Sequence, residues 1–313
     1  MELIEKDLSR IKDLLASSLE NDIKLLSDTN GEILANGGKM LRPKLAVLLA
    51  RAAGEINDDT YCFAAAAEVV HNSSLLHDDV VDQATMRRGH PTVEASLGTR
   101  PAVLLGDFWV AIALKLIMAS EQYSRKALLL FSEAISYLAE GEFLQLELSR
   151  TGGTTEEDYY RIIFSKTAAL FVATAKAAVL SVGASPEKIE AAGTFARCIG
   201  LAFQIKDDIM DYSDADIGKP VGQDIREKKI TLPLLGAMAL HPDREAWVRE
   251  AVSQGRNHDK IISFVRNEGG IGYATRKMDE LIAEAKNALG VFGDSPEKDY
   301  LAEIASYIAE RKY

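Results

Sequence analysis

The sequence predicts an all-α fold. Apolar residues recur at helical spacing near the start, as at Leu8, Ile11 and Leu15, and this periodicity is typical of a helix that buries one face. Runs that alternate apolar and polar residues, the mark of strands, are missing from the sequence. No proline occurs between Pro101 and Pro186, so nothing in that stretch forces a helix to break.

Local signals mark where further helices begin and end. Asn57 resembles the cap of a long helix, and Gly152-Gly153 separate one helix from the next, whose Thr-Thr-Glu-Glu start has the character of a capping box. Another helix is expected at about residues 186–211. Residues 218–232 are expected to form a charged loop, and Gly269-Gly270 precede two final amphipathic helices.

Composition predicts one soluble, cytoplasmic domain. The 313 residues contain no linker rich in proline, glycine or serine, so we expect a single domain over residues 1–313. Hydrophobic residues make up 47% of the chain, enough for a sizeable core. The two cysteines, Cys62 and Cys198, suit a reducing compartment. Neither a cleavable leader nor a segment of membrane-spanning length is expected.

One short acidic motif occurs twice. Residues 78–82, Asp-Asp-Val-Val-Asp, return as residues 207–211, Asp-Asp-Ile-Met-Asp, each time among apolar residues. A single copy is also compatible with a helix cap or a solvated face. Residues four apart share one face of a helix, so two facing copies would bring six carboxylates to one gap. Such a gap favours Mg2+, which prefers oxygen ligands and bridges carboxylates to phosphate. The motifs therefore predict magnesium bound together with a diphosphate.

The net charge of −11 argues against binding to nucleic acid or to an anionic membrane. An anionic substrate would need local cations, and the candidates are Lys39, Arg42, Arg87, Arg88, Lys166, Lys219, Lys228 and Lys229. Arg87 and Arg88 follow the first acidic motif within about five residues, and Lys219 follows the second within about eight. We expect the carboxylates to bind the metal, the metal to bind phosphate, and the basic side chains to surround the phosphate.

Seven motifs occur in an order that resembles the trans-isoprenyl diphosphate synthases, the polyprenyl synthetase family. The resemblance covers about residues 30–275, and the ordered set is far more specific than any one motif. The motifs are Gly37–Pro43, Asp78–Asp82, Arg87–Thr92, Gly106–Asp107, Lys166–Thr167, Phe203–Asp211 and Gly218–Asp224.

The resemblance implies both a fold and a reaction. The fold is the isoprenoid synthase type I bundle, in which antiparallel helices surround a large central cavity, and the assembly is a homodimer. The reaction is that of a Mg2+-dependent trans-prenyltransferase: an allylic diphosphate loses its diphosphate, and the double bond of isopentenyl diphosphate attacks the carbocation. Loss of a proton leaves a chain longer by one isoprene unit, with the released diphosphate as the base.

Matched motif by motif, the resemblance implies a role for each position. The metal ligands, for three Mg2+ ions once allylic substrate is bound, would be Asp78, Asp82 and Asp207, with Asp79, Asp208 and Asp211 as further ligands. Isopentenyl diphosphate would be held by Lys39, Arg42, His71 and Arg88. The allylic diphosphate would be held by Arg87, Lys166, Thr167, Gln204, Lys219 and Lys229. Of these, Lys166, Thr167 and Gln204 would also place dipoles near the cation.

One position departs from the family pattern. The family usually has glycine directly before the lysine of the second loop, whereas this chain has Lys228 before Lys229. Since lysine lacks the conformational freedom of glycine, the sequence leaves open which of the two lysines reaches phosphate.

Product length is expected to be set below the first acidic motif. Ser74 and Ser73 lie four and five residues before Asp78, where short-chain synthases of the family carry aromatic residues. A tail passing here would continue beside Ala67 and Gly200, and a channel along about 20 helical residues is about 30 Å long, room for about six to eight isoprene units. We predict a long-chain all-trans product of the octaprenyl type, with a farnesyl or geranylgeranyl product as the alternative. Candidate floor residues are Phe108, Trp109, Met118 and Phe143.

Other functions compete with this one. A class I terpene cyclase also uses magnesium and an aspartate motif, but it needs neither residues 37–43 nor His71. A noncatalytic partner subunit commonly loses aspartates or basic residues that this chain retains. A purely structural bundle leaves both acidic motifs unexplained. A product this apolar also predicts transient membrane contact during release.

Overall fold

The computed structural model describes residues 2–213 and 222–311, and helices dominate this part of the chain. The predicted all-α class is confirmed. Short 3-10 turns cover Glu2–Ile4, Pro242–Arg244 and Leu289–Val291. The α-helices are α1 (Glu5–Leu19), α2 (Lys24–Ala35), α3 (Leu41–Ala53), α4 (Asp58–Val81), α5 (Val93–Leu97), α6 (Thr99–Met118), α7 (Ser124–Thr151), α8 (Glu156–Ile163), α9 (Ala169–Ser181), α10 (Pro186–Met210), α11 (Gln223–Arg226), α12 (Leu232–Leu240), α13 (Glu245–Ser253), α14 (His258–Asn267), α15 (Gly270–Ala288) and α16 (Pro296–Glu310).

The chain divides into two compact units. Unit 1 contains Met1–Ile135, Val172–Gly193 and Val291–Leu301, and unit 2 contains Ser136–Phe171, Thr194–Gly290 and Ala302–Tyr313. Each unit is assembled from three separate stretches of sequence. The first acidic motif therefore belongs to unit 1 and the second to unit 2, and the expected single domain stays a prediction.

Helix starts follow the predicted caps. The Asn57 side chain accepts from the Thr60 N–H while the Thr60 hydroxyl accepts from the Asn57 N–H, which closes a capping box before α4. Thr155 and Asp158 form the equivalent pair before α8. Helix α10 begins at Pro186 and ends within one residue of its predicted end.

Two local features differ from the sequence expectation. The predicted loop 218–232 contains the four-residue helix α11. The two strands β1 (Met86–Arg87) and β2 (His90–Pro91) pair antiparallel. Arg88 and Gly89 join them with φ of 52° and 82°, the left-handed conformation of a tight hairpin turn. Strands of two residues are too short to show an alternating pattern.

The core of unit 1 is centred on α4 packed against α6. Ala64–Ala67 are fully buried, and such small side chains allow close helix packing. Trp109 of α6 is also fully buried, and its indole N–H donates to the Asn30 side-chain oxygen (2.9 Å). Trp109, one of the candidate floor residues, is thus a core residue whose polar atom is satisfied.

Two helical stretches have the length and apolar composition of membrane-spanning helices, which corrects the expectation that none would. They are Thr99–Met118, 44% buried, and Glu156–Ser181, 72% buried. The expectation failed because the charged residues in these stretches are too few to lower their mean hydropathy. Two such stretches are weak evidence for a membrane protein, because the core helix of a folded domain passes the same test, and the second stretch is mostly buried.

Candidate functional site

The first acidic motif lies at the end of α4 in unit 1. Asp82 is the C-terminal cap of the helix, and its N–H donates to the Asp78 carbonyl (2.8 Å). Asp78 and Asp82 therefore lie one turn apart on the same face. Asp78 is partly exposed and Asp82 is exposed, whereas Asp79 is only 4% exposed. The motif thus divides into two accessible carboxylates and one buried one.

The buried carboxylate is paired with an arginine of the hairpin. The Arg87 guanidinium donates to Asp79 Oδ1 from Nη2 (2.7 Å) and from Nε (2.8 Å). This ion pair fastens the hairpin to the end of α4. Losing Arg87 would leave the buried Asp79 carboxylate without its counter-charge, which is costly. Asp79 and Arg87 remain a predicted further metal ligand and a predicted allylic-site residue.

The next residue of the hairpin points to a different part of unit 1. The Arg88 guanidinium lies against Gly38, where a side-chain Cβ would come within 2.7 Å of Nη2. Glycine at position 38 therefore leaves room for this approach, and a larger residue there would displace the Arg88 guanidinium. Arg87 and Arg88 are consecutive in sequence, but Arg87 is paired with Asp79 whereas Arg88 lies against Gly38; their two predicted roles stay predictions.

Arg88 belongs to a cluster with two other predicted isopentenyl diphosphate residues. Burial, followed by Arg42, Arg88 and Arg87, lowers the pKa of His71 well below its ordinary value. Burial also lowers the pKa of Arg42 to about 10. His71 is therefore a neutral imidazole among guanidinium groups at pH 7. Lys39, the fourth predicted residue, is exposed on the loop before α3.

Sequence reasoning missed a carboxylate in this cluster. Glu68 is 6% exposed; burial raises its pKa, and the nearby Arg42 and Arg88 oppose that rise. The signal was available, because Glu68 is a single charged residue inside the apolar run 63–70 and lies one turn before His71. It places a carboxyl group beside the guanidinium groups of the cluster.

The two serines predicted to set chain length have different surroundings. Ser73 is 2% exposed, and its hydroxyl donates to the Gly106 carbonyl of α6 (2.9 Å). Ser74 is partly exposed, and its hydroxyl donates to the His71 carbonyl of its own helix (2.8 Å). Ser73 thus ties α4 to α6, and Ser74 keeps an accessible face.

In unit 2, Lys166 and Thr167 lie in a π-helical turn, Phe164–Ala168, between α8 and α9. Such turns frequently mark functional sites. The turn approaches α7 so closely that a Cβ at Gly141 would lie 2.8 Å from Ser165 Cβ. The Lys166 ammonium forms an ion pair with Glu142 of α7. Glu142, which no sequence motif indicated, therefore holds the predicted allylic-site lysine in place.

Four side chains of unit 2 form a hydrogen-bonded series. The Thr167 hydroxyl donates to the Gln204 side-chain oxygen (3.0 Å), and the Gln204 amide donates to Asp208 Oδ1 (2.9 Å). The Tyr159 hydroxyl donates to Asp208 Oδ2 (2.6 Å). Burial raises the pKa of Asp208 well above its ordinary value, and Asp224 adds to that rise. Tyr159 was not predicted, since nothing in the sequence separates it from an ordinary core tyrosine.

The other two aspartates of the second motif also have partners. Arg311 Nη2 donates to Asp207 Oδ1 (2.6 Å), and the Arg311 guanidinium lies 3.8 Å from the centre of the Phe203 ring. The Asp211 carboxylate accepts from the backbone N–H groups of Gln223 (3.0 Å) and Asp224 (3.1 Å) at the start of α11. A carboxylate has further acceptor positions beyond these bonds, so the predicted metal roles stay predictions.

The two lysines of the second loop follow α11. Lys228 has φ of 59°, its N–H donates to the Ile225 carbonyl (3.0 Å), and the Lys229 N–H donates to the Asp224 carbonyl (2.8 Å). This is the Schellman motif that commonly ends a helix at glycine. The turn that glycine forms in the family pattern is therefore kept with lysine. Lys219, also predicted at this site, lies outside the described residues.

A cavity of about 140 Å3 lies inside unit 2 next to these side chains. Its lining includes Lys166, Gln204, Asp208, Lys228 and Lys229. Predicted phosphate-binding residues from three separate segments thus line the same cavity. By contrast, Gly200, which was expected beside the substrate tail, packs closely against the backbone of Ala168. A Cβ at position 200 would lie 2.7 Å from the Ala168 Cα.

The carboxylates suit a Mg2+ ion that is partly coordinated by water and phosphate, not an ion whose ligands all come from the protein. Within residues 2–213 and 222–311, no group of three or more His, Cys, Asp or Glu side chains is gathered closely enough to hold a metal. Mg2+ commonly takes one or two carboxylates and completes its shell with water and phosphate. The accessible pair Asp78 and Asp82 offers that number of hard oxygen ligands on one helical face.

Comparisons with known proteins agree with these features. The polyprenyl synthetase family model matches residues 23–268. Octaprenyl diphosphate synthase of Escherichia coli (strain K12) is 36% identical over 316 residues, covering 99% of this chain and 97% of that protein. A short chain isoprenyl diphosphate synthase of Methanothermobacter thermautotrophicus is 34% identical over 291 residues, covering 90% of this chain and 89% of that protein.

Solved structures give the same result for the fold. The structure of a polyprenyl synthase from Caulobacter crescentus CB15, complexed with calcium and isoprenyl diphosphate, superposes with a TM-score of 0.91 and 34% identity. The match covers 100% of this chain and 97% of that one. The family model spans more than half of the chain, and the relatives match it nearly end to end. The chain therefore belongs to the polyprenyl synthetase family, the trans-prenyltransferases with the all-α isoprenoid synthase fold.

Proposed function

We propose that the protein condenses isopentenyl diphosphate with an allylic diphosphate, repeatedly, to give a long-chain all-trans polyprenyl diphosphate. The observation that carries the proposal is the cluster of Arg42, His71 and Arg88 in unit 1. A terpene cyclase binds only one diphosphate and has no use for this second anion site. The family membership of the chain and its similarity to an octaprenyl diphosphate synthase point the same way.

The cluster fits a diphosphate that binds without metal. Two guanidinium groups supply the charge and the paired donors that suit phosphate oxygens. Neutral His71 adds one hydrogen-bond donor without further charge, and Glu68 lies beside Arg42 and Arg88. We assign isopentenyl diphosphate to this cluster, together with Lys39.

The second substrate diphosphate is assigned to the basic residues near the acidic motifs. Lys166 is oriented by Glu142, and Gln204 is oriented by Thr167 and Asp208, so these groups are fixed before substrate binds. Prearranged dipoles of this kind stabilise charge that develops during ionisation. Arg87, Lys219 and Lys229 complete the proposed allylic set.

Magnesium is the ion that enzymes of this family use, and it supplies Lewis-acid stabilisation to a departing diphosphate. We propose Asp78, Asp82 and Asp207 as the principal ligands and three ions when allylic substrate is bound. Asp79, Asp208 and Asp211 are proposed as further ligands, and their hydrogen bonds and ion pairs orient the motifs.

Ser74 is the residue proposed to admit a long tail. Its accessible side chain is small, and Ser73 beside it is occupied by the bond to Gly106. A small residue at this level leaves room for an isoprenoid that an aromatic ring would block. This feature favours the long-chain product over a farnesyl or geranylgeranyl product.

A homodimer is proposed from the surface of α6. Its exposed apolar residues repeat along one side of the helix, at Leu104, Leu114 and Met118, with exposures of 58%, 38% and 55%. An apolar stripe of this kind favours a protein partner. We assign this stripe to a second copy of the chain. We also propose that the protein is cytoplasmic and contacts a membrane only during product release. A Leu104→Glu variant should then shift from dimer to monomer in analytical ultracentrifugation.

The decisive experiment combines turnover with product chromatography. The purified chain, Mg2+, labelled isopentenyl diphosphate and a short allylic primer should give products of about 40 carbons. Asp78→Ala and Asp207→Ala should each lower kcat at least about 100-fold, whereas Asp243→Ala, an exposed aspartate of unit 2, should not. Cyclic products formed without isopentenyl diphosphate would identify a cyclase, and termination at 15 or 20 carbons would identify a short-chain synthase.

A further inference from the structure

Lys228 occupies a backbone conformation that disfavours its own side chain. Its φ of 59° is left-handed, a region that glycine enters freely and that a residue with a Cβ enters at a cost. The Schellman hydrogen bonds from Lys228 and Lys229 to Ile225 and Asp224 hold it there. Glycine would satisfy the same turn with less strain. The turn therefore gives no reason for a lysine at this position.

Lys228 is among the residues that line the cavity of unit 2. Lys166, Lys229, Gln204 and Asp208 line the same cavity, so position 228 places a further basic residue at a site already rich in donors. Its stem passes Gly255, where a Cβ would lie 3.7 Å from the Lys228 Cε. Even a side chain at position 255 would make only ordinary van der Waals contact there, so Gly255 does not restrict the Lys228 stem.

The neighbouring lysines are already engaged with carboxylates. Lys166 is paired with Glu142, and Lys229 is paired with Glu227 at 2.5 Å. Among residues 2–213 and 222–311, Lys228 takes part in no ion pair. It can meet an incoming anion without first giving up a carboxylate partner, which reduces the cost of binding.

We infer that Lys228 is an additional binding residue for the allylic diphosphate, acting beside Lys166 and Lys229. The inference rests on the proposed function, because it takes the cavity of unit 2 as part of the allylic site. Lys228 strengthens binding of the charged head of the primer and of each growing intermediate. Long-chain synthesis needs such retention, since every intermediate has to stay bound or rebind before the next addition.

The test is a substitution that separates stability from binding. Lys228→Gly keeps the turn, removes the strain and removes the charge. We expect the midpoint of thermal unfolding to rise by about 1–3 °C, while the KM for the allylic diphosphate rises about threefold to tenfold. The KM for isopentenyl diphosphate should stay unchanged, and added salt should reduce the difference from the wild type. Lys228→Arg should keep the wild-type allylic KM.

Asn257→Gly is the matched control. Asn257 also lies in unit 2 with φ of 59°, but it does not line the cavity. This variant should relieve strain without changing either KM. An unchanged allylic KM in Lys228→Gly, with the expected gain in stability, would overturn the inference.

A direct binding measurement keeps this test independent of turnover. Titration calorimetry with inorganic diphosphate and Mg2+ should show weaker binding to Lys228→Gly than to the wild type, by the same threefold to tenfold factor. If the wild type showed no turnover but still bound diphosphate more tightly than Lys228→Gly, the proposed reaction would be refuted and the binding role of Lys228 would stand. Equal affinity of the two proteins would refute the binding role.

Discussion

The Tyr159 hydroxyl donates a 2.6 Å hydrogen bond to Asp208, and both residues are buried, at 3% and 5% exposure. Asp208 is the middle carboxylate of the second acidic motif. Its other oxygen accepts from Gln204, which in turn accepts from Thr167. A tyrosine outside every recognised motif is thereby connected to a predicted metal ligand, Asp208, and through it to two residues of the predicted allylic site, Gln204 and Thr167.

Tyr159→Phe should destabilise the protein and weaken the allylic site. Removing the hydroxyl leaves one oxygen of buried Asp208 without its donor, so the free energy of unfolding should fall by about 1–3 kcal/mol in urea titrations. Because Gln204 is held through Asp208, the allylic KM should rise as well. Tyr160→Phe, a change at the half-buried neighbour, is the control. If Tyr159→Phe kept the wild-type free energy of unfolding, the hydrogen bond to Asp208 would not contribute to stability.

Arg311→Ala should make Mg2+ more effective at low concentration. The guanidinium occupies an oxygen of Asp207, so it competes with a cation for that ligand. We expect the Mg2+ concentration for half-maximal activity to fall by about twofold to fivefold. Arg244→Ala, an exposed arginine of unit 2, should leave it unchanged. An increase in the Mg2+ requirement would mean that Arg311 supports metal binding instead.

Ser74→Phe should shorten the product. The side chain at position 74 is partly exposed, so an aromatic ring there would project from α4 and block the tail without breaking the contact between Ser73 and Gly106. Chromatography of labelled products should show shorter chains. Ser73→Ala should keep the product length while lowering stability by about 1 kcal/mol. If Ser74→Phe kept the long product, the channel would have to pass elsewhere.

His71 should make the stability of the protein sensitive to mild acid. The folded-state pKa of His71 lies well below its ordinary value of 6.5. Below about pH 6.5 the unfolded chain therefore binds a proton that the folded chain does not, and stability is lost as the pH falls. The drop in the unfolding midpoint between pH 7.5 and 5.5 should be smaller in His71→Gln. His90→Gln, a change at an exposed histidine, should behave as the wild type.

Much of the fold was predictable because helix signals are local. The capping residues Asn57 and Thr155 and the start of α10 at Pro186 were placed from a few neighbouring residues each. The hairpin at residues 86–91 and the helix α11 were not, since elements of two to four residues carry no periodic pattern. The expectation that no segment reaches membrane-spanning length was wrong for Thr99–Met118 and Glu156–Ser181.

The sequence by itself determined the family, the two acidic motifs and the types of side chain that recognise diphosphate. These follow from residue identity and short spacing, which a helix converts directly into shared faces. Only the tertiary structure decided which carboxylates are accessible and which are paired. Asp79 with Arg87, Asp208 with Tyr159 and Asp207 with Arg311 are contacts between residues distant along the chain or on different elements. The position of such partners depends on helix packing, and no local pattern in the sequence encodes it.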